Sequence, residues 1–311
     1  MDNELLEKKT VFYVDKIRNV EHGGFEFPVS CEIDPSNICN LDCHFCMFKD
    51  RSKTDLMSWD SYCWLLYELA AGGTKSITFT GGGEPLCHPQ INFMIEKAVN
   101  MGFELGLVTN GALLDKVDNV RAFKFIRVSL DAADYATYLT VKGKPVFKTV
   151  VENIRRAVAA GAHVGLSYVV TKINKYGLDE AKALAENLGV MYIQFKPDVR
   201  NENVHFLAPE GEHVIQMERF YAQDMLPCQI AGLIGIVGAD EMLYYCCQYR
   251  GNQDFALGKL REAPLKEILL RRNKVRPDVS KCPRCRYMNY AVSYKRLVAG
   301  GLLFYDHRAF L

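Results

Sequence analysis

Strand-like and helix-like patterns alternate along this chain from about residue 30 to 200, and that alternation limits its possible folds more than any other feature. Short apolar runs rich in β-branched or aromatic residues occupy 29–34, 76–80, 104–109, 125–130, 163–170 and 190–196. Between them, apolar residues recur at helical spacing and the stretches end in glycine. Ser58 opens one stretch, which carries Trp59, Tyr62, Leu65, Leu66 and Leu69 and stops at Gly72-Gly73. That is an N-cap, an apolar stripe and a glycine stop. Gln90 to Met101 stops at Gly102, Phe147 to Ala160 at Gly161, and Leu178 to Leu188 at Gly189. Such strand–helix units predict an α/β fold with parallel βα repeats. Pattern alone leaves a barrel and a doubly wound sheet both open. With 311 residues, 49% of them hydrophobic, the chain suits one barrel-sized domain plus a smaller one.

Cys39, Cys43 and Cys46 follow the first strand. Three soft thiolates this close cannot all face one way on a helix or strand. A loop can wrap them around one metal group, and thiolates select an iron–sulfur cluster or zinc. On a four-iron cube, three ligands leave one iron open, which suggests chemistry rather than electron storage. Eleven cysteines without a visible secretion signal argue for metal or redox use over disulfides. The run Thr80-Gly-Gly-Gly-Glu84-Pro85 ends the second strand. Glycines let backbone approach a ligand closely, and a carboxylate suits an ammonium. Ser129 and Asp131 end the fourth strand, on the same side by the period of two. Capping of the following helix is the plainer role for Asp131.

The C-x3-C-x-aromatic-C spacing, with Phe45 before the last Cys, resembles the motif of the radical S-adenosylmethionine (SAM) superfamily. Gly82, Gly83 and Glu84 match that family's G-G-E motif. Leu107 to Gly111, with Asn110 in the turn, resembles its third strand, and Phe125 to Asp131 its fourth. The resemblance implies a partial, TIM-like (β/α)6 barrel, open on one side. It implies a [4Fe–4S] cluster on Cys39, Cys43 and Cys46 whose open iron chelates SAM. It also implies SAM contacts from Phe45, Gly82, Gly83, Glu84, Asn110, Ser129 and Asp131. The implied chemistry is reductive cleavage of SAM to a 5′-deoxyadenosyl radical that abstracts hydrogen, fed by a flavodoxin- or ferredoxin-type electron donor.

The pattern changes near residue 200. Asn201 to Glu212 reads as a polar linker and Glu212 to Asp224 as a helical stretch. Two short strand-like runs follow, Gly232 to Val237 and Met242 to Tyr245, then a helical stretch from Pro264 to Arg272. Cys228, Cys246, Cys247, Cys282 and Cys285 accompany them, and four such thiolates could form a zinc ribbon. Their arrangement resembles the short twitch form of the SPASM extension in radical SAM enzymes. That implies an auxiliary [4Fe–4S] cluster on Cys228, Cys246, Cys282 and Cys285. The expected organisation is an N-terminal extension (1–28), the barrel (29–200), a linker and helix (201–226), and a small Fe–S domain of hairpin plus helix with a tail (227–311). Strand alternation sends the adjacent Cys246 and Cys247 to opposite faces. Cys247 is then either packed or a hydrogen-atom donor to substrate. Cys31, Cys63 and Cys87 read as packing residues.

Net charge is +1, so no strong field invites nucleic acid or an anionic membrane. No apolar run reaches the roughly 18 residues of a membrane span, and the charged N-terminus shows no signal peptide. A reducing cytoplasm is the expected home. Lys196, Asp198 and Arg200 follow the sixth strand and either grip substrate or are solvated loop charges. The basic group Arg271, Arg272, Lys274 and Arg276 reads as a solvated helix end. An auxiliary cube with four protein ligands has no open iron and suits electron transfer. That points to dehydrogenation of a small polar substrate such as a sugar, aminocyclitol or nucleoside, resembling the aminocyclitol dehydrogenase branch. Epimerisation, as in the aminoglycoside and peptide epimerases, is the alternative. A peptide substrate is less favoured, since only about 30 residues precede the first strand. A non-catalytic Fe–S electron carrier is the reading from another class, and the SAM-type positions count against it.

Overall fold

The computed structural model describes residues 13–22, 24–50, 52–198, 205–216 and 230–275. After a first helix, α1 (Val14–Glu21), strands and helices alternate. In order they are β1 (Ser30–Ile33), α2 (Trp59–Ala71), β2 (Ser76–Phe79), α3 (Ile91–Asn100), β3 (Glu104–Thr109) and β4 (Phe123–Ser129). Then come α4 (Tyr135–Lys142), α5 (Phe147–Ala159), β5 (Val164–Val170), α6 (Leu178–Leu188), β6 (Ile193–Pro197) and β7 (Val214–Gln216). The described chain ends with β8 (Ile234–Val237), β9 (Met242–Tyr244), β10 (Ala256–Lys259) and α7 (Leu265–Leu270).

The helices begin and stop where local chemistry dictates. The Ser58 side chain accepts a hydrogen bond from the Ser61 amide at 3.2 Å and caps α2. Gly189 ends α6 in the left-handed conformation at φ +66°, as helix-terminating glycines do. Helix α4 carries the same signals, an Asp134 cap on the Thr137 amide at 2.9 Å and a left-handed Gly143. Its eight residues lack the long apolar stripe that marks the other helices, so sequence periodicity passes over it.

Strands β1 to β6 lie in sequential order and all pair in parallel. In a parallel sheet of sequential order, the usual right-handed crossovers put the connecting helices on one face, which separates a barrel from a doubly wound sheet. The residues agree with that winding. Ile77, Phe79, Leu107, Val128, Leu166 and Phe195 face the helices in one buried core. The opposite, concave face carries Glu32, Thr78, Arg127, Ser129, Ser167 and Gln194. Two glycines let aromatic rings close this face at the N-terminal strand ends. A Cβ on Gly106 would lie 2.4 Å from the Phe125 ring, and one on Gly165 2.3 Å from Tyr192. The concave face therefore opens toward the C-terminal strand ends.

Two expectations change. The stretch expected to be helical from Glu212 instead contains β7, parallel to β6; Val214 and Ile215 are β-branched and fit a sheet edge. The hairpin β8–β9 forms no sheet of its own. Strand β8 pairs in parallel with β1, so β8, β9 and β10 extend the barrel sheet to ten strands. No helix among the described residues is long and apolar enough to cross a membrane.

Candidate functional site

Cys39, Cys43 and Cys46 sit on the loop leaving the C-terminal end of β1, all partly exposed. Two elements grip the loop from opposite sides. On one side is the glycine run. The Glu84 amide donates to the Ile38 carbonyl at 2.8 Å, and the Gly83 amide to the Ser36 carbonyl at 3.2 Å. A Cβ on Gly83 would lie 2.4 Å from the Asn37 carbonyl carbon and from the Ile38 oxygen. Only glycine permits that approach. Gly83→Ala is therefore expected to push the cysteine loop away, at about 1–3 kcal/mol for overpacking against backbone. The check is iron retained after reconstitution, which should fall below wild type.

On the other side is the end of α4. The Asp42 amide donates to the Lys142 carbonyl and the His44 amide to the Val141 carbonyl, each at 3.1 Å. Gly143, at φ +72°, admits the Asp42 carbonyl, which would lie 2.7 Å from a Cβ there. The loop that carries Cys43 is thus fastened on both sides of that residue.

Burial raises the Cys39 thiol above its ordinary value, with Glu84, Cys87 and Cys46 adding to the rise. Burial likewise pushes Cys43 up to about 11; Lys142 acts against it, while Asp131, Cys39 and Cys46 add to it. Among the described residues no three Cys, His, Asp or Glu side chains are gathered in a metal-holding arrangement. The donor set fits a cluster: three soft thiols, mutually repelling once ionised, on one loop open to solvent.

The expected SAM contacts fall into two groups. Asn110 belongs at the loop: its Nδ2 donates to Asn40 Oδ1 at 2.7 Å and lies 4.0 Å from Cys39 Sγ. Gly82 donates its amide to Asp34 Oδ2 at 3.1 Å. Ser129 ends β4 on the concave face and is partly exposed. Phe45 lies over the Lys142 ammonium, 5.4 Å from the ring centre.

Glu84 and Asp131 are internal instead. Glu84 is 2% exposed and accepts from Thr109 Oγ1 at 2.6 Å, the Asn110 amide at 2.7 Å and the Leu86 amide at 3.2 Å. Burial lifts its carboxyl to about 7 although those bonds pull it down. It ties the glycine run to the end of β3 and does not present an open carboxylate to an ammonium. Asp131 has φ +58°, which takes it off the strand, so the period of two does not extend to it. It is fully buried, and its carboxylate is held by the Lys142 ammonium and the Val169 amide. Nor does it cap α4, since Asp134 does that.

Sequence reasoning missed two neighbours. Cys87, read as packing, ends the turn Pro85–Cys87 directly after Glu84; burial raises its thiol, Glu84 adds to the rise and the Asn40 amide opposes it. Arg250 is buried and pairs with Glu32 at 2.7 Å and Asp34 at 3.1 Å. Through Asp34 it reaches Gly82. No local pattern in the sequence marks either contact.

Of the second cysteine set, Cys228, Cys282 and Cys285 lie outside the described residues, as do Arg200 and Arg276. Cys246 and Cys247 lie in the turn after β9 rather than on the strand, so opposite strand faces do not distinguish them. Cys246 packs against the hydrophobic core. Asp198 is buried and Lys196 half-buried, unlike solvated loop charges. Of the basic group at the end of α7, Lys274 is exposed as a solvated helix end would be. Arg271 pairs with Glu262, and Arg272 lies 5.7 Å from the Tyr245 ring.

Comparison with known proteins fits this geometry. The model of the radical SAM superfamily matches residues 33–188, and the chain belongs to that superfamily. Its members use SAM and a [4Fe–4S] cluster. The chain is 30% identical over 169 residues to a GTP 3′,8-cyclase of Campylobacter fetus, covering 50% of this chain and 52% of the relative. It is 31% identical over 166 residues to the tungsten-containing aldehyde ferredoxin oxidoreductase cofactor-modifying protein of Pyrococcus furiosus, covering 49% and 46%. The chain thus spans about half the length of the curated relatives it matches. In fold it is similar to Streptococcus suis SuiB bound to the precursor peptide SuiA, with a TM-score of 0.66, 12% identity, and coverage of 85% of this chain and 68% of that one.

Proposed function

We propose that this protein cleaves SAM at the Cys39–Cys46 loop and abstracts hydrogen from a small polar substrate lying on the concave face. Cys39, Cys43 and Cys46 would hold a [4Fe–4S] cluster there. Bound, it supplies the electron that splits SAM into methionine and the 5′-deoxyadenosyl radical. The glycine run and Asn110 would lie beside SAM, with Glu84 and Asp131 bracing those contacts from behind.

The observation that carries the substrate class is the polarity of the concave face. Ser129, Ser167 and Gln194 are neighbours in register on β4, β5 and β6. Ser167 Oγ is fully buried, with no hydrogen-bond partner among the described residues. A face meant only for packing would be apolar. A buried hydroxyl without a partner costs about 1–3 kcal/mol, which a polar ligand would recover. Relatives named for GTP and for cofactor modification also favour a nucleoside or similar small molecule over a peptide.

For the outcome we favour dehydrogenation. The substrate radical would give one electron to an auxiliary [4Fe–4S] cluster on Cys228, Cys246, Cys282 and Cys285, and one proton to a base. Epimerisation, with Cys247 returning a hydrogen atom, is the second reading. It gains from finding Cys247 in a half-buried turn rather than fixed to the core face of a strand. The test is anaerobic reconstitution and reduction, with 5′-deoxyadenosine measured against nucleotide, aminocyclitol, sugar and peptide panels. A rise with a small polar compound supports the proposal; a rise with peptides alone overturns the substrate class. Cys247→Ala should leave turnover nearly unchanged and Cys246→Ala should abolish it. 5′-Deoxyadenosine without product in Cys247→Ala would establish the epimerase reading.

A further inference from the structure

A buried polar cluster lies at the end of α4 that fastens the cysteine loop. Its centre is the buried pair of Asp131 and Lys142, which are 0% and 2% exposed. Lys142 is the last residue of α4, the helix end that accepts amides from both sides of Cys43. Tyr138 lies one turn earlier on the same helix face, at the i, i+4 spacing. Its ring packs on Phe147 with centres 5.4 Å apart. Its hydroxyl is fully buried and has no hydrogen-bond partner among the described residues. Lys142, Cys43, Asp131 and Glu84 all lie within electrostatic reach of it.

A buried charge pair and an unsatisfied hydroxyl at one spot are costly to keep. Packing does not require them, since Phe and Met would fill the same space. Both groups sit where they act on whatever Cys43 holds. Lys142 brings positive charge beneath Phe45 and Cys43, and Tyr138 brings a donor in need of an acceptor. Positive charge and hydrogen bonds to cluster sulfurs raise the potential of iron–sulfur groups.

We propose that Tyr138 and Lys142 are positioning residues that raise the reduction potential of the cluster on the Cys39–Cys46 loop, Tyr138 by donating to its sulfur shell and Lys142 by its charge. Asp131 holds the Lys142 ammonium in place. The inference rests on the cluster reading above and concerns buried residues at the end of α4 and the end of β4.

The test is a redox titration of reconstituted full-length protein, followed by electron paramagnetic resonance (EPR) at the SAM-responsive signal. Tyr138→Phe should keep its iron and its response to SAM, yet titrate at a lower potential than wild type. The double variant Asp131→Asn/Lys142→Met, which removes both charges together, should titrate lower by a smaller amount, because the Asp131 charge opposes that of Lys142 at Cys43. Unchanged potentials in both variants overturn the inference, as does loss of iron from Tyr138→Phe with the remaining cluster titrating as wild type. A wild-type protein that assembles no cluster on this loop overturns the cluster reading itself, a result separable from the other two.

Discussion

Replacing Cys39, Cys43 and Cys46 together by Ala is expected to reduce SAM cleavage to the level of a protein-free control. Iron should fall from about eight to about four per chain, because the auxiliary cube proposed above would keep its own ligands. The reason is local. The loop offers three thiols, and the fourth sulfur near them, Cys87, cannot hold a cube by itself. Fold stability should change little, since the three side chains are partly exposed and the loop is fixed by backbone bonds at residues 36–38, 42 and 44. Iron analysis and a thermal melt on the same sample separate the two effects. A variant that still holds eight irons would place the first cluster elsewhere.

Arg250→Leu should destabilise the fold strongly, by about 3–5 kcal/mol. It leaves two carboxylates, Glu32 and Asp34, buried at 8% and 1% exposure without their shared guanidinium. Because Asp34 also accepts from Gly82, the loss should spread to the glycine run and lower SAM affinity. Arg156 serves as the control. Its pair with Glu152 is exposed on both sides, and Arg156→Ala should cost no more than about 0.5 kcal/mol. Denaturant melts of both variants check the contrast. Equal costs would show that the Arg250 network does not brace β1.

What the sequence made legible was local and periodic. Apolar runs at spacings of two and 3.6, glycine stops and the Ser58 cap mark the barrel strands and most helices. The cysteine spacing and the G-G-E run mark the loop chemistry. Contacts that depend on distant chain segments were not legible. Gly83 reads as a ligand-approach glycine, yet in the structure the atoms closest to it belong to residues 37 and 38. Asp131 reads as a strand residue until its positive φ turns it inward to Lys142. The β8–β9 hairpin reads as a separate module because no local signal says that β8 will pair with β1. Arg250 lies 218 residues from Glu32 in sequence, a separation across which no periodicity carries.

The central claim is that the Cys39–Cys46 loop carries a reducible cluster with an iron open to SAM. EPR spectroscopy of the reconstituted, reduced protein tests it most directly, with spectra taken before and after adding SAM. The expected result is a [4Fe–4S] signal that shifts on SAM addition and is absent from the Cys39→Ala/Cys43→Ala/Cys46→Ala protein. Bound zinc on the loop, or cluster signals of which none responds to SAM, would contradict it.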